Sequence, residues 1–140
     1  MTDHLDQAKR SWNMSRIRGK DTKPEIAVRR MLHAAGFRFR LHVKSLPGKP
    51  DIVLPKWKTV IFVHGCFWHR HAGCKKCTTP ATNREYWFEK FRHNIERDKQ
   101  NCSALFNNGW NVIIIWECML VDPINCLDNT IQNIKRRKQL

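Results

Sequence analysis

Negative charge is what this chain has least of. Only 12 of its 140 residues are aspartate or glutamate, against 26 lysines and arginines, which leaves a formal net charge of +14. Such an excess repels itself unless a polyanion neutralises it. The cations are spread along the chain rather than gathered in one tail, so a phosphate backbone is the expected partner. Long apolar runs are also missing: no stretch approaches the roughly 20 residues of a membrane span. The opening Met1-Thr2-Asp3-His4-Leu5-Asp6 lacks the charged-then-apolar layout of a signal peptide, and the expected compartment is the cytoplasm, on the nucleoid when at work. With no secretory signal, the six cysteines are read as reduced and metal-binding rather than as disulfides. No internal repeat, low-complexity tract or linker divides the chain, and its length suits one compact domain. Residues 1–20 are polar and basic, with only Trp12, Met14 and Ile17 to bury. They read as a surface arm, and residues 21–140 as the domain proper.

Periodicity orders the elements. Thr22-Lys23-Pro24-Glu25 combines a capping box with an early proline, and Val28, Met31, Leu32 and Ala35 follow at helical spacing before Gly36. Phe37 to Lys44 alternates: Phe37, Phe39, Leu41 and Val43 on one side, Arg38, Arg40, His42 and Lys44 on the other, which predicts a half-buried strand with a cationic outer face. After the turn Ser45–Pro50, Asp51–Leu54 and Thr59–Val63 read as strands. Thr82-Asn83-Arg84-Glu85 is a second capping box opening a long helix, with Phe88, Phe91, Ile95, Cys102, Leu105 and Phe106 available for the core until Gly109. Asn111–Trp116 is an apolar central strand. Leu127, Ile131 and Ile134 mark a terminal helix. The order α-β-β-β-α-β-α predicts a mixed sheet flanked by helices, an α/β fold.

Between the third strand and the second helix lies the densest chemistry. His64-Gly65-Cys66-Phe67-Trp68-His69-Arg70-His71, with Cys74 and Cys77, sets three histidines, three thiols and two large aromatics within residues 64–77. Thiols and imidazoles at loop spacing suit tetrahedral zinc, and both Cys66-x4-His71-x2-Cys74 and Cys74-x2-Cys77 are competent arrangements. Surplus histidines can move protons near neutral pH. Phe67 and Trp68 cannot both pack inward from a loop whose neighbours hold a metal, so an exposed pair is expected.

Helix Glu25, strand-leading Pro50-Asp51 and a third strand entering the site form a nuclease layout. In PD-(D/E)xK nucleases that third strand carries an acid and a lysine two residues apart; here it reads Phe62-Val63-His64, with neither. That departure, Phe-x-His followed by Gly-Cys-Phe-Trp-His, resembles the very-short-patch repair (Vsr) endonucleases, a branch of the restriction-endonuclease-like fold. The resemblance runs through Asn13-Met14-Ser15-Arg16-Ile17, Leu46–Asp51, Asn83-Arg84-Glu85-Tyr86-Trp87, Asn94-Ile95-Glu96-Arg97-Asp98 and Trp116-Glu117-Cys118.

It implies Mg²⁺-dependent nicking of the strand bearing the thymine of a T·G mismatch left by deaminated 5-methylcytosine. It further implies that Asp51 and the main-chain carbonyl of Val63 bind Mg²⁺, that His69 handles the proton of the attacking water with Asp98 as partner, that His64 sits beside the scissile phosphate, and that Glu25 holds metal-bound water. Cys66, His71, Cys74 and Cys118 would bind a structural Zn²⁺. Phe67 and Trp68 would wedge between base pairs, with Met14 entering opposite, and Lys90 and Asn94 would read the mispaired bases. Cys77 would be a free thiol; Cys102 and Cys126 read as small core hydrophobes, and Trp12, Trp57, Trp87 and Trp110 as filler. A monomer acting on mismatched duplex DNA is expected, with room for repair-pathway proteins as partners. Two rivals stand beside this reading: a non-catalytic zinc-stabilised DNA-binding module, which would need none of Asp51, His64 and His69, and a nuclease of the same fold with another DNA target.

Overall fold

A computed structural model describes residues 22–138 apart from residue 76. The proposed arm, with Trp12 and Met14, lies outside the described residues. Seven main elements follow the predicted order: α1 (Lys23–Ala34), β1 (Arg40–Leu41), β2 (Ile52–Leu54), β3 (Thr59–His64), α2 (Arg84–Asn107), β4 (Asn111–Trp116) and α3 (Pro123–Lys138), with short 3-10 turns at Pro55–Trp57 and Glu117–Val121. The sheet order is β1-β2-β3-β4; the first three strands are antiparallel, and β4 runs parallel to β3 after the α2 crossover.

Strand parity divides the core into two layers. Ile52, Leu54, Ile61, Val63, Ile113 and Ile115 pack against Val28 and Leu32 of α1 and Cys126 and Ile134 of α3. Val53, Val60 and Phe62 face Leu105 of α2, with Val112 and Ile114 alongside. Because side chains alternate along a strand, Asp51 shares the side of Val53, and His64 that of Phe62. Both chemical residues are thereby delivered to the α2 side.

The local stop signals act as their chemistry requires. Thr22 Oγ1 accepts from the Glu25 amide at 3.4 Å and opens α1. Gly36 (φ 96°) closes it, with Phe37 N–H donating to Leu32 O at 3.0 Å and Gly36 N–H to His33 O at 3.1 Å. Gly109 (φ 86°) ends α2 with the same pair of bonds, from Trp110 to Leu105 and from Gly109 to Phe106. This is the left-handed glycine stop that any Cβ would strain.

Three expectations are corrected. The strand predicted over 37–44 survives only as Arg40–Leu41, because His42 adopts φ 49° and reverses the alternation. Phe37 and Phe39 then pack on the α1/α3 side, Val43 crosses to the α2 side, and Leu41 stays 40% exposed. The second capping box does not form: Asn83 caps α2 from a left-handed conformation with no side-chain hydrogen bond. Of the apolar residues on α2, Phe91 and Leu105 are buried and Cys102 packs in the cluster of Leu105, while Phe88, Ile95 and Phe106 are exposed. These three lie on one flank of the buried stripe, and a 24-residue helix is longer than the sheet face it covers.

Candidate active site and metal centre

A cavity of about 790 Å³ opens between the sheet and α2 and is walled by Glu25, His42, Asp51, His64, His69 and Asp98 among others. Asp51 Oδ2 accepts from the Val63 amide at 2.7 Å, a bond that fixes the carboxylate across the β2–β3 hairpin. Burial pushes the Asp51 carboxyl up to about 6; the Val63 hydrogen bond opposes this and the neighbouring Glu25 charge adds to it. Glu25 is buried on α1 and accepts from Arg29 at 3.0 Å, with His42 Nε2 at 3.8 Å. Glu25, His42 and Asp51 each bring a ligand atom within 4.8 Å of the others. The two carboxylates offer hard oxygens that could hold a divalent cation keeping several waters, as Mg²⁺ does, whereas the His42 imidazole is a donor that ion does not favour. The contact between Asp51 and Val63 runs through the Val63 amide.

Across the cavity His69 Nδ1 lies 2.7 Å from Asp98 Oδ2. The carboxylate holds the proton on Nδ1 and leaves Nε2 as a base, the arrangement that prepares an imidazole to take a proton from water. His64 stacks face to face on His69, with centroids 3.8 Å apart and planes at 5°. Burial, then the nearby His69, lowers the His64 pKa to about 4, so this ring is neutral at pH 7. Its Nδ1 is buried with no hydrogen-bond partner. Asp98→Asn should lower the nicking rate on the order of 10²-fold with little change in DNA affinity, since acid–base catalysis contributes about 10²–10⁴. Single-turnover rates and gel-shift affinities test this, and an unchanged rate would detach Asp98 from the chemistry.

The loop after β3 is a chain of turns: His69 N–H donates to Gly65 O, His71 to Cys66, Cys74 to His71 and Cys77 to Cys74, at 3.0–3.3 Å. Arg70 (φ 56°) and Gly73 (φ 74°) bend it back on itself. The result brings together Cys66, His71, Cys74 and Cys118, whose ligand atoms all lie within 4.8 Å of one another. His71 Nδ1 is 3.7 Å from Cys66 Sγ and 3.4 Å from Cys118 Sγ, and its ring stacks on Trp116 at 4.3 Å. Cys77 is not in the group. Burial pushes the Cys66 thiol up to about 12, which leaves it protonated unless a cation displaces the proton. Three soft thiols and one imidazole in tetrahedral number fit zinc, and all six cysteines are free of disulfides.

Phe67 and Trp68 are half-buried, not exposed as expected. They pack edge to face on one another at 5.1 Å and against Trp87 at 5.8 Å, with Phe91 5.3 Å from Phe67. α2 continues past the sheet edge and gives the pair an apolar backing that loop spacing could not reveal. Lys90 Nζ stands 5.8 Å from the Trp68 ring, and Asn94 Nδ2 donates to Trp68 O at 3.2 Å. Trp57 packs on Phe37, Trp110 lies against the α2-side core, and Trp87 joins the aromatic cluster.

Comparison with known proteins decides among the readings of this geometry. The family model described as DNA mismatch endonuclease Vsr matches residues 2–76. The chain belongs to the Vsr family. It is 46% identical over 134 residues to Type II nicking enzyme V.XorIIP of Xanthomonas oryzae pv. oryzae, covering 96% of this chain and 97% of that one. Similar identity, 46% over 138 residues, relates it to Type II nicking enzyme V.NmeAIP of Neisseria meningitidis, covering 96% and 98%. DNA mismatch endonuclease Vsr of Escherichia coli K12 is 46% identical over 120 residues, covering 86% of this chain and 76% of that one.

As a member of that family this chain is a strand-nicking DNA endonuclease, and the family carries the restriction-endonuclease-like fold. The non-catalytic rival falls with that assignment. Among the described residues no helix is long and apolar enough to cross a membrane. Two residues at the site carry no local sequence signal strong enough to place them there. The alternation of 37–44 puts His42 on a cationic outer face, yet its left-handed backbone turns it into the cavity beside Glu25 and Asp51. Glu117 accepts from the Cys66 amide at 3.1 Å and ties the loop to the end of β4. Its place between Trp116 and Cys118 was the available signal.

Proposed function

We propose that this protein nicks the strand bearing the thymine of a T·G mismatch, the product of deaminated 5-methylcytosine, as a monomer acting on cytoplasmic, nucleoid DNA. One observation carries the reading. Asn94 and Asp98, one turn apart on α2, bond to Trp68 and His69, adjacent residues of the loop. The aromatic that would test base stacking and the histidine that would handle the proton are thus held by a single rigid element.

In this reading Asp51, with the Val63 carbonyl, holds Mg²⁺, and Glu25 orients water around it. The ion, when bound, supplies charge stabilisation at the phosphoryl oxygen. His69, aligned by Asp98, takes the proton from the attacking water. His64, neutral and stacked on His69, donates an N–H to the scissile phosphate. Cys66, His71, Cys74 and Cys118 hold Zn²⁺, whose closed four-ligand shell leaves no place for substrate and so acts structurally. Phe67 and Trp68 enter the duplex with Met14 opposite, and Lys90 and Asn94 read the displaced base edges.

A T·G wobble step stacks weakly, so insertion there costs less than at a Watson–Crick step. Each well-placed base contact adds about 1–3 kcal/mol of discrimination. Phe67→Ala with Trp68→Ala should lose mismatch preference and nicking together, whereas removing a peripheral lysine should weaken matched and mismatched binding alike. Nicking rates on otherwise identical T·G and T·A duplexes decide the matter, and equal rates for the parent protein would remove the mismatch as target. The names of the relatives favour one refinement. Two of the three relatives named above are Type II nicking enzymes, so a defined flanking sequence is expected to matter, tested by placing T·G in a panel of contexts.

A further inference from the structure

Residues 100–134 contain no lysine, arginine or histidine, in a chain whose formal charge is +14; they carry only Glu117, Asp122 and Asp128. They form the end of α2, all of β4 and most of α3, so this stretch itself offers phosphate no cation, and Lys58 reaches it from outside, over the Trp110 ring. Among the described residues β4 is an edge strand, paired with β3 alone. A groove of about 480 Å³ follows its open edge along Ile113, Ile114 and Ile115, and its far wall is built from Asn125, Asn129 and Asn133, which recur every turn of α3. Asp122 stands at one end of the groove, near Val121, which is 83% exposed.

We propose that this groove binds an extended, positively charged peptide segment of a partner protein as a fifth strand on β4. An open strand edge offers a row of N–H and C=O groups at the spacing of a second backbone. The asparagine row faces it with side chains that both donate and accept, so a strand lying between them is hydrogen-bonded from both sides. Charge selects the partner: no cation lines the groove for a nucleic acid to find, and a cationic segment meets the Asp122 carboxylate at its end. The surface lies apart from the cavity, leaving the nuclease free to hold its duplex. Cys118 lines the groove and belongs to the Cys/His cluster, so an occupant would touch a member of the cluster that also includes Cys66, His71 and Cys74 of the His69 loop.

The test uses the zinc-loaded protein bound to duplex DNA, which covers the basic face. A phage-displayed library of random 12-residue peptides is selected on this complex, and the enriched sequences are made synthetically. Enriched peptides should be net cationic with alternating β-branched residues, and should slow amide exchange across Ile113–Trp116 at least tenfold. Asn125→Lys with Asn129→Lys should weaken them at least tenfold while leaving nicking unchanged. No enrichment, enrichment of acidic peptides, binding indifferent to the double substitution, or displacement by added DNA would each overturn the proposal. So would a concentration-dependent dimer in sedimentation that the double substitution abolishes, because the occupant would then be a second copy of this chain.

Discussion

Asp51→Asn is expected to abolish nicking and yet to make the metal-free protein harder to unfold. The carboxyl titrates at about 6 in the folded protein against an ordinary 3.8, and burial is the main cause. The folded state therefore prefers the protonated form, and its stability declines as pH rises from about 4 through 6. An asparagine carries no charge to desolvate and keeps an oxygen for the Val63 amide. At pH 7, stability should rise by about 1–3 kcal/mol, from the constant of 1.36 kcal/mol per tenfold change. Urea unfolding with Mg²⁺ chelated measures the gain. Nicking assays measure the loss, and gel shifts should find DNA binding retained because phosphate contacts dominate it. The parent protein should also lose activity as pH falls through about 6, when protons compete for the metal anchor. An Asp51→Asn variant that still nicks, or that unfolds more easily than the parent, would refute this account of the carboxylate.

Removing zinc should produce the largest loss of stability. Cys66 is fully buried, and its thiol stays protonated until a metal takes the proton's place. The cluster joins the loop after β3 to Cys118 beyond β4, so the ion closes a long stretch of chain. Structural zinc sites hold about 10–16 kcal/mol of binding free energy in small peptides; even a fraction of that should lower the melting temperature by about 10 °C or more. The purified protein is expected to contain one zinc per chain, and stripping it should end nicking together with the fold of the loop. Zinc affinity should weaken at acid pH, because binding releases protons from the thiols. Cys74→Ser should lose the metal and Cys77→Ser should keep it. A zinc-free preparation that melts normally and nicks would overturn the assignment, and the reverse outcome for the two serine variants would exchange Cys74 for Cys77.

Much of the frame was legible because its signals are local. A capping threonine, an early proline and a left-handed glycine act within one turn, so α1 and the end of α2 read directly from spacing. The unbroken apolar runs of β2, β3 and β4 each cover one strand. Legibility failed where a distant contact outweighed a local preference. The alternation from Phe37 to Lys44 is regular, yet one left-handed residue, His42, turns its far end to the opposite side of the sheet. Thr82-Asn83-Arg84-Glu85 spells a capping box, but Asn83 starts α2 from a conformation that leaves the box unmade. Nothing in the loop itself can cover Phe67 and Trp68; the cover comes from Trp87 and Phe91, about twenty residues away.

By itself the sequence determined the order of elements, the two-sided pattern of the sheet, the basic character of the surface and the unusual His64–His71 run that marks the family. Each of these depends on residues near one another in the chain. Tertiary structure decided which of them meet. Parity along β2 and β3 sends Asp51 and His64 to the α2 side, one turn of α2 carries Asp98 to His69, and the return of β4 brings Cys118 to Cys66, His71 and Cys74. Among the described residues it also left β4 at the sheet edge, beside a row of asparagines and a groove lined by no cation. Spacing along a chain cannot specify such meetings, because they depend on how helices and strands pack once their apolar faces are buried together.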